Sequence, residues 1–266
     1  MKGRAGAVFV LALLASTVAL AQAPPGGRGR GAAPPRSPRE AAPIDLTGYW
    51  VSVVTEDWRW RMVTPAKGDF GGMPVNDAGR AAGLAWDPAK DEAEGNQCKA
   101  YGAGGIMRLP TRLHITWQDD STLKIETDFG SQTRLLHFGG APQAGGERSW
   151  QGYSVANWEA PAHGPNLPEV FPVGLLPRIG TGGRSLEAVT TQLRPGYLRK
   201  NGIPYGANTV VREYFDLASE KNGDTWFVVT TIVEDPEYLR QPLVTSSNFK
   251  KERDGSKWMP TRCTAR

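Results

Sequence analysis

Along most of this chain, apolar and polar residues alternate at every second position, the period of a strand with one buried face. The first such run is Trp50 to Val54. Glu56 to Arg61 prolongs the alternation, with Trp58 and Trp60 on one face and Arg59 and Arg61 on the other. Leu113 to Trp117, Leu123 to Thr127 and Thr133 to Phe138 follow as strands, joined by the polar turn Gln118 to Ser121 and by Phe129 to Ser131. Trp150 to Trp158, Leu186 to Leu193, Thr209 to Leu217, Trp226 to Val233 and Leu243 to Lys250 complete a set of about nine. Asn222-Gly223 between two of them is a strong hairpin signal.

Helical signals are few. Asn76 reads as the N-cap of a short helix over 77–86, which Asp87-Pro88 ends. Without long helices alternating with strands, a parallel α/β sheet is excluded in favour of an all-β fold. The pattern predicts a closed antiparallel all-β barrel with one short helix and a long Pro/Gly loop, the alternative being a two-sheet β-sandwich. The loop is Ala160 to Arg184, with five prolines and five glycines. Aperiodic stretches of this length are commonly functional or disordered, and this one reads as a cover for a site near Trp58 and Trp60, the alternative being a disordered tether.

The first 43 residues differ in character. Lys2 and Arg4 precede an apolar run to Leu20, and Ala19-Leu20-Ala21 places small residues where a signal peptidase cuts. Residues 1–21 therefore read as a signal peptide, 22–43 as a disordered Pro/Gly/Arg-rich linker, and 44–266 as a single β-barrel domain. Export to the periplasm or extracellular space follows, with no transmembrane span after cleavage. The tail also accounts for the basic charge. The chain has 31 basic and 27 acidic residues; without the six basic and one acidic residue before position 44, 25 face 26. A nucleic-acid partner needs a basic face on the fold itself, and this balance lends it no support. The two cysteines, Cys98 and Cys263, are an even count in an exported chain and predict a disulfide.

Candidate chemistry is sparse. His114, His137 and His163 lack zinc-ligand spacing, so no metal is assigned. Gly152-Tyr153-Ser154-Val155-Ala156 approaches a nucleophile elbow, but the pattern continues as a strand where the elbow needs a turn and a helix. The glycine groups at 102–105 and 180–183 lack the ending of a phosphate loop, and no cofactor is assigned. Glu126 with Glu159 or Glu234 is a candidate acid–base pair if they meet inside the barrel. No catalytic residue is assigned. The aromatics carry more information. Trp58 and Trp60 beside Arg61, with His114 and Tyr153, are the candidate ligand-binding residues, placed for a mouth that grips a flat or anionic molecule. The expected partner is a hydrophobic or aromatic small molecule. The alternatives are a barrel enzyme using carboxylate or His114 chemistry, and an envelope interaction protein with a filled core.

Several of these pieces recur together. Asp45 to Trp50, Cys98, Arg112 to Trp117, Trp150 to Glu159 and Asp235 to Tyr238 resemble the motifs of a large group of exported bacterial proteins with no established activity. The chain departs from that group at Ala160, where the Pro/Gly insertion intervenes. A weaker resemblance, to lipocalin-like (calycin) barrels, rests on Gly48-x-Trp50 and the β meander. It implies a late arginine stacked on Trp50, with Arg253 and Arg262 the candidates.

Overall fold

A computed structural model describes residues 36–141, 146–159 and 185–266. The signal-like segment, residues 22–35 of the linker, His163 and the stretch 160–184 lie outside the described residues. Eleven strands are present among those described: β1 Gly48–Val53, β2 Arg112–Trp117, β3 Thr122–Thr127, β4 Thr133–Phe138, β5 Tyr153–Trp158, β6 Leu186–Thr191, β7 Gly196–Arg199, β8 Ile203–Tyr205, β9 Val210–Ser219, β10 Thr225–Glu234 and β11 Leu243–Lys251. Nine of them close into a barrel in the order β1-β11-β10-β9-β6-β5-β4-β3-β2, and β7 and β8 form a separate hairpin. The all-β barrel predicted by the alternation is the observed architecture, and the two-sheet alternative is not.

One expectation needs correction. Strands joined only antiparallel alternate in direction, so an odd number of them cannot close. One neighbouring pair must run parallel. β4 and β5 are that pair, in register at Leu136 with Ser154, His137 with Val155 and Phe138 with Ala156. The barrel is mixed rather than purely antiparallel.

The alternation sorts side chains to the two sides of the wall. Trp50, Leu113, Ile115, Phe215, Phe227 and Phe249 are buried inside. Phe227 packs against Trp50, Phe215 and Phe249 with ring centroids 5.4, 5.6 and 5.6 Å apart. Arg134 and Glu213 also point inward, joined at 2.6 Å, and Arg134 reaches Thr190 at 3.3 Å. Ser154 bonds Thr190 at 2.7 Å as an ordinary inward strand residue, in keeping with the strand reading of its glycine-flanked motif. Side chains thus occupy the described barrel axis.

Each end is built differently. At the end where β5 leads out and β6 leads in, residues 36–44 pack across the opening. Trp158 donates from Nε1 to the Pro38 carbonyl at 2.8 Å, and Arg39 N–H bonds the Asp120 carbonyl at 3.1 Å. Residues 36–43, expected as linker, are therefore part of the folded body. Lys251 stacks on Trp50 at 4.4 Å, so the cation over that tryptophan is a lysine of the last strand and not Arg253 or Arg262.

The opposite end carries the helices α1 Trp58–Arg61, α2 Asp77–Ala85 and α3 Pro88–Ala93. Asn76 caps α2 by accepting from Gly79 N–H at 2.9 Å, as predicted. Asp87-Pro88 ends α2 but also begins α3, since Asp87 accepts from Ala89 N–H at 3.0 Å with proline in the first helical turn. The β7–β8 hairpin packs against this layer. Gly202 in its turn has φ +81°, and any Cβ there would collide with Trp86. Cys98 and Cys263 are joined, with Cα atoms 5.1 Å apart, tying the C-terminal segment to this end.

Candidate functional site

Where β1 leaves the barrel the chain makes one sharp helical turn. Asp57 adopts the left-handed conformation, φ 51° and ψ 24°, and its carbonyl accepts from both Trp60 and Arg61 N–H. This is α1, and it corrects the expected strand through residues 56–61. Helical geometry separates neighbours that a strand would align. Trp58 turns to solvent, 66% exposed, whereas Trp60 and Arg61 turn inward.

Trp60 and Arg61 line a hollow of about 140 Å³ at the barrel mouth. Arg108, from the 3-10 turn Ile106–Arg108, and Arg199 and Lys200, from the β7–β8 hairpin, share the lining. Met62, Met73, Leu109, Phe129, Leu198 and Leu243 supply its apolar surface. Each cation is held in place. Arg61 donates from Nε to the Arg108 carbonyl at 2.8 Å and from Nη1 to Glu56. Arg108 donates to Asp57 at 2.7 Å. Arg199 donates to the Asp69 and Gly71 carbonyls and to Asn201, and Asn201 is fixed in turn by the Ala66 and Asp69 carbonyls at 3.0 Å. Lys200 reaches Tyr101 Oη and Thr264 Oγ1 at 3.1 and 3.0 Å. Trp60 donates from Nε1 to Asp69 at 3.2 Å.

The electrostatics follow from burial and crowding. Burial holds the Arg61 guanidinium below the usual arginine range; Glu56 opposes this and the neighbouring charge of Arg108 adds to it. Burial likewise lowers Arg199 to about 10, opposed by Asp69 and reinforced by Arg108. Arg61 and Arg199 therefore each feel the charge of Arg108. Arg61 Nη2 is buried with no hydrogen-bond partner among the described residues.

The other predicted site residues stand elsewhere. His114 and Tyr153 lie on the outer wall, one position out of phase with inward Leu113, Ile115 and Ser154. His114 stacks on Tyr49 at 4.2 Å and meets Glu126 at 3.3 Å; Tyr153 stacks on His137 at 4.7 Å. Neither lines the mouth hollow. Glu126 faces outward against Lys124 at 3.0 Å, so it does not face an interior acid partner. The buried carboxylate of the barrel is Glu213, and its partner is Arg134. The strand ends that flank 160–184, Trp158 and Leu186, stand at the far end from Trp60, so the proximity expected of a cover is not seen at its anchors.

Nothing in the strand alternation points to Arg108, Arg199 or Lys200. One available signal was Asn201-Gly202, the same hairpin dipeptide read at Asn222-Gly223. The chain matches no protein-family model, no curated protein and no solved structure.

Proposed function

We propose that this chain is an exported small-molecule-binding protein of the cell envelope, with its site at the barrel mouth. The observation that carries the reading is the hollow behind Trp60. It joins an apolar wall to convergent polar groups, the general make-up of a ligand site. Its size matters. At about 140 Å³ it approaches the roughly 150 Å³ of an apolar cavity that holds benzene. One aromatic ring or a short apolar segment fits. Export draws on the signal-like N-terminus and accords with the Cys98–Cys263 disulfide. Among the described residues no helix is long and apolar enough to cross a membrane.

Toluene titrated into the isotopically labelled full chain tests the site. Saturable shifts of the Trp60 indole N–H and of the Met62 and Met73 methyls are expected. Val244→Trp, placed on the rim, is expected to weaken those shifts at least severalfold. A second reading has its own support: the described barrel axis is filled, and Trp58, Met62, Val63 and Val244 are exposed large apolar residues. That is the make-up of an envelope interaction protein. Absence of saturable binding by any apolar probe would leave this second reading in place.

A further inference from the structure

Resting on the mouth-binding reading, we propose that the group anchored in the hollow is a carboxylate, the head of a small apolar acid. The first ground is Arg61. Its side chain is only 2% exposed, yet Nη2 has no partner among the described residues. A guanidinium has five N–H donors in a fixed fork, and a buried donor left unmade is costly. Nε and Nη1 are committed to Arg108 and Glu56, so the fork is held in place with one nitrogen unspent. A carboxylate oxygen forms a strong, charge-assisted bond with such a donor.

The second ground is the charge count. Four cations line the hollow, Arg61, Arg108, Arg199 and Lys200, against one lining carboxylate, Asp57. Just outside, Glu56 engages Arg61, and Asp69 engages a fifth cation, Arg59. Five cations thus face three carboxylates, and the cluster retains positive charge, which a carboxylate reduces. Arg61 and Arg199 are each repelled by Arg108, and a shared anion relieves that repulsion.

The third ground is the path outward. Met62, Val63 and Val244 are exposed at the rim. A more open groove of about 720 Å³ continues from it, sharing Gly72, Met73, Leu243 and Val244 with the hollow. The acid head sits among the arginines, and the apolar remainder leads over the rim into the groove.

Calorimetric titration of the full chain with benzoate, benzamide, phenyl phosphate and toluene tests this. Benzoate is expected to bind about tenfold or more tighter than its neutral isostere benzamide, the scale of a charge-assisted bond to a buried donor. In Arg61→Met that advantage is expected to collapse toward unity. If Arg61→Met does not fold, judged by its circular dichroism, Arg108→Gln serves instead and should cut the advantage severalfold. Equal binding of benzoate and benzamide by the wild type, with toluene also bound, overturns the carboxylate assignment and leaves the mouth site standing. Tighter binding of phenyl phosphate than of benzoate also overturns the assignment. No binding of any of the four overturns both.

Discussion

Arg134 and Glu213 place opposite charges inside a largely apolar barrel, both essentially without solvent contact. Their mutual attraction is offset by the cost of taking both out of water, so the pair contributes little net stability, whereas either charge alone is penalised. Glu213→Gln is therefore expected to cost about 3–5 kcal/mol in urea unfolding, and Arg134→Met together with Glu213→Leu to recover most of the loss. Asp235 shows a polar residue used differently. One carboxylate oxygen accepts from the Gly206 N–H and from Thr209; the other accepts from Glu237 and Tyr238 N–H at 2.8 and 2.6 Å. The Asp235 to Tyr238 motif, legible in the sequence, is thus a turn that fastens the start of β9 to the end of β10. What the sequence did not disclose is which acid is buried. Glu213 sits in an alternating run like Glu126, and only the phase of its strand sends one inward and the other out.

At the scale of elements, the strands were legible because burial on one side of a sheet imposes a period of two on the chain. The same rule misread α1. Trp58-Arg59-Trp60-Arg61 alternates as a strand does, but the left-handed Asp57 and the pull of Glu56 and the Arg108 carbonyl on Arg61 wind it into a helical turn. Local pattern holds no record of partners 47 residues away. For that reason two residues of the site were visible, Trp60 and Arg61, and three were not: Arg108, Arg199 and Lys200 come from separate segments that meet only in the fold. The C-terminal segment is an element of a different kind, held by its disulfide and by hydrogen bonds from Thr264 and Lys200 around Tyr101. The Cys98–Cys263 link closes a loop of 165 residues, for which the chain-entropy limit is roughly 5 kcal/mol. Cys98→Ser with Cys263→Ser is expected to lower unfolding stability by about 2–5 kcal/mol. The same comparison in the presence of reductant should show no further loss, because the variant has no bond left to reduce.

For the whole molecule, the odd strand number sets where the barrel is weakest. The β4–β5 seam is parallel and only three residue pairs long, against ten for β9 with β10. Parallel ladders are slightly less stable per residue, and a short one offers little cooperativity. Hydrogen–deuterium exchange is expected to show the amides shared between Leu136–Phe138 and Ser154–Ala156 exchanging at least about tenfold faster than those between β9 and β10. Uniform protection around the barrel would contradict this.

The closure of the barrel has one more consequence. β1, the earliest strand, is flanked by β2 and by β11, the latest. A nascent chain therefore carries two raw edges until residues 243–251 arrive, and each edge is an invitation to pair with a stranger. The fold in this sense verifies its own completeness: a chain broken anywhere before Leu243 has no way to finish as a smaller version of itself. Ending the protein at Pro242 should leave material that aggregates or is degraded. Supplying residues 243–266 as a separate peptide should restore the missing wall, and near-ultraviolet circular dichroism would register its return.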